Sequence, residues 1–128
     1  MIIENLMFQL PIEIQDKILL YTDLDTAIKC KNEYVINKLY DRNSFSYAIE
    51  NGHLETVKWI YNNLAGGREI INMNERFAID WAAYNNQLEI VEWLYFNCEY
   101  TEMDLLEAIQ WAETYEHFEI TEWLQSKL

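Results

Sequence analysis

The chain has 128 residues, 51% hydrophobic and 15% aromatic, with 22 acids against 9 bases for a formal charge of −13. This length suits one domain, or one domain with a short appended module, and the apolar content suffices for a core. One Pro and three Gly argue against a β-sandwich built on tight turns, and the charge weighs against nucleic-acid or anionic-membrane partners, because phosphates are repelled.

The acidity is uneven. Residues 99–128 carry eight acids, Glu99, Glu102, Asp104, Glu107, Glu113, Glu116, Glu119 and Glu122, against Lys127 alone. An acidic end can receive a basic ligand, or it can simply be a wet cap. Cys30 and Cys98 stand in apolar, helical-looking contexts with no CxxC pair. They read as buried free thiols of a reducing compartment. The first residues lack a basic stretch followed by a long apolar run, so neither a signal peptide nor a membrane span is expected. A cytoplasmic or nuclear location is expected.

In chain order, Leu10-Pro11-Ile12-Glu13-Ile14 opens a helix, since proline suits the first helical turn. Ile14, Ile18 and Tyr21 recur at helical spacing, widened by Leu10, Ile12 and Leu19. Asp23 and its neighbours break this helix and cap a short second one over about 26–31. Residues 33–40 give a third, with Val35, Ile36 and Leu39 apolar. Together, residues 1–42 are expected to form an N-terminal helical cap that buries Ile14, Ile18, Leu19, Val35 and Leu39.

From residue 43 onward the chain repeats itself. Tyr47-Ala48-Ile49-Glu50-Asn51-Gly52-His53-Leu54-Glu55-Thr56-Val57-Lys58-Trp59-Ile60 returns 34 residues later from Trp81, and again after 30 more from Trp111. Such self-similarity marks stacked helical units, each too small to bury its own apolar face. The units divide as 43–74, 75–103 and 104–128. They read as helix pairs over 44–51 with 54–64, 75–85 with 88–97, and 104–115 with 118–127. Each pair needs a tight turn at Gly52, Asn86 or Glu116. A left-handed residue is expected there, at a cost of about 1 kcal/mol for Glu116. Gly66-Gly67 reads as a flexible corner between the first two pairs, and Thr101 with Asp104 as a capping-box signal.

Ala48-Ile49-x-x-Gly52-His53-Leu54-Glu55-x-Val57-Lys58-Trp59-Ile60 resembles the core of an ankyrin repeat, in the divergent form found in large DNA viruses. The resemblance covers about residues 43–128. It implies an all-α, ankyrin-like helical-hairpin solenoid of about three repeats behind the N-terminal cap. Where the family has Thr-Pro-Leu-His, Asn43-Ser44-Phe45-Ser46 and its echoes stand instead, so plain loops are expected in place of β-hairpin fingers. The resemblance implies that Trp59, Trp93 and Trp123 lie in the core between repeats. It implies that Tyr47, Trp81 and Trp111 line the concave groove, where large aromatics make a binding stripe or pack on neighbouring helices. In the third copy, Glu113 and Thr121 replace apolar residues, as an end cap would require.

A second resemblance lies upstream. Leu10-Pro11-x-Glu13-Ile14-x-x-x-Ile18-Leu19-x-Tyr21, followed by Asp23-Leu24-x-x-Ala27-x-x-Cys30-Lys31, is similar to an F-box. It implies that Leu10, Pro11, Ile14, Ile18 and Leu19 contact a Skp-type adaptor of a cullin ubiquitin ligase. The alternative is that this segment only caps the repeats.

No nucleophile–base pair, phosphate loop or metal-ligand cluster is visible around His53 or His117. His53 is expected to hydrogen-bond backbone in its turn. No catalytic residue, cofactor or metal is expected. The expectation is a non-enzymatic protein–protein interaction module, with a ligase-adaptor role on the second resemblance. The location would then be the cytoplasm or nucleus of a host cell if the chain is viral. The alternative is a structural homo-oligomer or assembly subunit.

Overall fold

The computed structural model describes residues 2–41, 43–63 and 75–128, with 2–4 and 75–77 by backbone alone. Ten helices run through these residues, and none of the described residues forms a strand. The expected Gly66-Gly67 corner lies outside the described residues. The chain divides into two compact units, residues 1–45 and 46–128.

The first unit holds α1 (Ile2–Met7), α2 (Ile12–Leu19), α3 (Leu24–Lys29) and α4 (Glu33–Leu39). The periodicity does not anticipate α1. Pro11 sits at the N-cap of α2, extended at φ −56° and ψ 145°. Asp23 caps α3 by accepting from the Thr26 N–H at 2.8 Å, so α3 starts earlier than expected. Asn32 joins elements: its Oδ1 accepts from the Val35 N–H at 3.0 Å and caps α4, while its Nδ2 donates to Asp16 on α2 at 2.6 Å.

The buried face of this unit differs from the expected one. Leu19 and Val35 are buried as expected, and Ala27, Ile28, Cys30 and Ile36 join them. Ile14 and Ile18 are exposed, and Leu39 is half-buried. The reason is rotational. Gln15 and Leu19, four apart, share the inward face of α2; Ile14 and Ile18 lie one position back, about 100° around the helix. Gln15 tolerates burial because its Nε2 donates to the Leu10 carbonyl at 2.8 Å.

The second unit holds three helix hairpins. They are α5 (Ser44–Glu50, beginning at the boundary) with α6 (Leu54–Asn63), α7 (Glu75–Tyr84) with α8 (Leu88–Asn97), and α9 (Glu102–Thr114) with α10 (Phe118–Gln125). The hairpins are built alike because their turns are alike. Gly52, Asn86 and Glu116 take the expected left-handed conformation, at φ 71°, 60° and 59°. The next residue then turns its N–H back onto a buried alanine carbonyl: His53 to Ala48 at 2.8 Å, Gln87 to Ala82 at 2.9 Å, His117 to Ala112 at 2.8 Å. This closes the end of each first helix.

The same turn joins α3 to α4. Lys31 has φ 56°, and the Asn32 N–H returns to the carbonyl of buried Ala27 at 3.2 Å. Aligned on the turn, Ala27-Ile28-Lys29-Cys30-Lys31-Asn32 matches Ala48-Ile49-Glu50-Asn51-Gly52-His53. A worn copy of the repeat therefore precedes residue 43.

Along the stack, α9 packs on α7, and α8 packs on both α6 and α10. The seam is filled by Ile49, Val57, Ile60, Ile79, Ala83, Ile90, Val91, Leu94, Ile120 and Leu124, all essentially inaccessible. Fully burying one such aliphatic side chain contributes about 1.5–3 kcal/mol. Turn side chains add polar ties between hairpins. Gln87 Nε2 donates to the Glu50 carbonyl at 3.2 Å, and His117 Nδ1 meets the Ala83 carbonyl at 2.9 Å. Since a carbonyl only accepts, His117 carries a proton on Nδ1.

Two expectations change here. Trp59, Trp93 and Trp123 are half-buried rather than core. The adjacent Ile60, Leu94 and Leu124 fill the seam, and the indoles lie over its outside: Trp93 meets Tyr61 edge-on at 5.2 Å, and Trp123 meets Tyr95 at 5.4 Å. Of the end-cap replacements, Glu113 is exposed as an end requires, but Thr121 is buried, its hydroxyl donating to the His117 carbonyl at 3.2 Å. The helix of the third pair begins at 102, not 104. Thr101 is its N-cap, with Thr101 and Asp104 exchanging both bonds of a capping box at 3.2 and 2.9 Å.

Candidate functional site

The candidate site forms on the first helices of the hairpins, five residues before each left-handed residue. Tyr47, Trp81 and Trp111 are 51%, 39% and 44% exposed, although each precedes a fully buried alanine. Burying the alanine turns the residue before it outward by about 100°. These three therefore do not pack away as core.

The structure brings two of the three together. Tyr84 stacks on Trp81, with ring centroids 5.2 Å apart and planes 9° from parallel. It also meets Trp111 edge-on at 5.8 Å and Tyr115 at 4.6 Å. Tyr115 in turn lies nearly parallel to Trp111, at 6.3 Å and 17°. The result is two walls of rings, Trp81 with Tyr84 and Trp111 with Tyr115, standing close to a right angle. Tyr47 is not part of this corner; its described ring contact is with His53, edge-on at 5.8 Å.

Apolar periodicity singles out neither Tyr84 nor Tyr115, but a second sequence signal marks Tyr115. In four places an aromatic is followed four residues on by an asparagine. The side-chain amides of Asn51, Asn63, Asn85 and Asn97 donate to the carbonyls of Tyr47, Trp59, Trp81 and Trp93 at 2.8–3.0 Å. The third repeat breaks this rule: Tyr115 and Lys127 stand where the asparagines would. Tyr115 joins the corner, and Lys127 lies over the outer rings, its Nζ 4.8 Å from the Trp123 centroid. A hydrogen bond with the Tyr84 side chain holds the Tyr115 phenol above the usual tyrosine range.

The residues of the F-box-like segment divide. Leu10, Pro11, Ile14 and Ile18 are exposed, with Tyr21 more open still. Leu19 is fully buried, so its expected adaptor contact does not hold; it is a core residue of its unit. His53 is also placed differently from expectation. Its backbone closes the turn, while its ring lies against Tyr47. It is His117 whose ring bonds backbone, on the neighbouring hairpin.

Among the described residues no three His, Cys, Asp or Glu side chains gather as metal ligands, and no helix is long and apolar enough to cross a membrane. Cys30 is buried, and burial pushes its thiol up; Cys98 is only half-buried, contrary to expectation.

Compared with known protein families, the chain matches the model for ankyrin repeats (3 copies) over residues 17–105 and again over 45–127. No curated protein and no solved structure matches it. The first match begins well before residue 43 and takes in the worn hairpin of α3 and α4. With nearly the whole sequence matched, the chain belongs to the ankyrin-repeat family, whose repeats form protein–protein interaction modules.

Proposed function

We propose that this protein is a non-enzymatic binding module whose partner protein docks on the aromatic corner of α7 and α9, with Tyr47 extending the face along α5. The observation that carries this reading is the exposure of Trp81 and Trp111 together with their mutual bracing by Tyr84 and Tyr115. Rings locked against one another lose little freedom on binding and offer large contact area, the properties of interface hot spots. The test is affinity capture from cell extract with the wild-type chain and with Trp81→Ala/Trp111→Ala. Partners retained by the wild type are expected to be lost by the double variant, whose circular dichroism stays native. Unchanged capture would contradict the reading.

A second surface is favoured by a specific observation. Ile14 and Ile18 are exposed on one face of α2, and Leu10 and Pro11, just before it, are exposed as well. Under this reading the surface engages a Skp-type ligase adaptor while the repeats hold a target, and the protein acts as a recruiter. Ile14→Asp and Pro11→Ala should then abolish adaptor binding and leave target capture intact. If the surface instead joins two copies of the chain, Ile14→Asp lowers the mass seen by light scattering.

A further inference from the structure

We propose that the aromatic corner takes a basic protein segment, receiving its arginine or lysine side chains against the faces of Trp81, Tyr84, Trp111 and Tyr115. This rests on the reading of that corner as the binding face and adds the chemistry of its partner.

Three observations carry it. The first is geometry. Aromatic rings are electron-rich on their faces, and a cation within about 6 Å of a ring centroid is held there. Two ring walls near a right angle, with Tyr84 at 85° to Trp111 and 76° to Tyr115, offer a cation more than one face.

The second is charge. Of the nine bases, only Lys58, Arg68, Arg76 and Lys127 fall in residues 46–128, against fifteen of the 22 acids. Residues 1–45 are nearly balanced, with seven acids and five bases. The acidity therefore belongs to the repeats. Glu107 lies one helical turn before Trp111 on α9. A field of this sign draws a basic segment in and turns an acidic one away. It also discriminates against a purely apolar partner, which would gain nothing from the net negative charge of the unit.

The third is an internal example of the same chemistry. On the outer side of the stack, Lys127 Nζ lies 4.8, 5.6 and 5.9 Å from the ring centroids of Trp123, Phe96 and Tyr95. The chain thus already seats an ammonium on an aromatic cluster of similar make-up. Lys58, on α6, is engaged differently: its Nζ lies 3.5 Å from the Glu55 carboxylate. An incoming arginine or lysine would do at the corner what Lys127 does outside.

The test is calorimetric titration of the full chain with a peptide of alternating arginine and serine, and with the same peptide carrying neutral citrulline for arginine. The arginine peptide is expected to bind, and the citrulline peptide to bind at least about tenfold more weakly. Trp111→Leu should weaken the arginine peptide by about two- to thirtyfold. Trp111→Tyr, which keeps a ring face, should retain most of the binding. Glu119→Gln/Glu122→Gln, on α10, should change it little. Equal binding of both peptides, still lost in Trp111→Leu, overturns the cationic partner and leaves the aromatic face standing as a binding site. Arginine-peptide binding that neither Trp111→Leu nor Tyr84→Leu alters overturns the proposal and assigns the attraction to bulk charge. Failure of the arginine peptide to bind overturns it as well.

Discussion

Glu116 sits at φ 59°, where the β-carbon of an L-residue crowds the following carbonyl. Gly52 meets the same demand at φ 71° without that cost. Glu116→Gly should therefore stabilise the protein by about 0.5–1 kcal/mol, the relief of strain less the added chain entropy of glycine. Gly52→Ala should destabilise it by about 1–2 kcal/mol. Its new β-carbon would also come within 2.5 Å of Gln87 Oε1, loosening the tie from Gln87 to Glu50. Urea denaturation of both variants checks the opposite signs. A different residue-scale test concerns the corner itself. The raised pKa of Tyr115 comes first from its hydrogen bond with Tyr84. A raised value means the phenol keeps its proton to higher pH, so Tyr84→Phe should let Tyr115 ionise at lower pH. Ultraviolet titration of the two proteins reads this directly, and an unmoved Tyr115 transition would show that the two hydroxyls are not in contact.

At the scale of the helix hairpin, the turn is the conserved design within the chain. One left-handed residue, one buried alanine and one returning N–H recur at α3–α4, α5–α6, α7–α8 and α9–α10. The residue after the left-handed one also binds hairpins together, as Gln87 and His117 do. Gln87→Ala and His117→Ala should each cost about 0.5–1.5 kcal/mol. Their effects should add, because they tie different hairpin pairs. Chemical denaturation of the single and double variants tests this; a double variant no worse than either single would break the account. These turns were legible in the sequence because a backbone requirement falls on one position, and Gly52, Asn86 and Glu116 mark it by alignment. The earlier turn at Lys31 was hidden, since neither glycine nor asparagine announces it. Helix faces were less legible than helix positions. Apolar spacing on α2 selects Ile14 and Ile18 as readily as Leu19, and a one-residue rotation separates the buried row from the exposed one. The Trp59 register failed similarly: its neighbour Ile60 fits the seam, and an indole beside it does not. Tyr84 and Tyr115 are not legible from the repeat because both break it: Glu50 and Thr114 stand where Tyr84 does, and Asn51 and Asn85 where Tyr115 does.

For the molecule as a whole, the repeats carry the acidity and the aromatic corner, while residues 1–45 carry the exposed apolar row on α2. A protein of this composition can expose rings for a partner or bury them between its own copies, and the two differ in what solvent reaches. The central claim is that the corner stands open in the free protein. Acrylamide quenching of a variant retaining Trp111 as its only tryptophan, followed over a wide range of protein concentration, tests that most directly. The account predicts efficient quenching that does not change with concentration. A Trp111 shielded from the quencher, increasingly so as the protein is concentrated, would contradict it and make the corner an interface between copies.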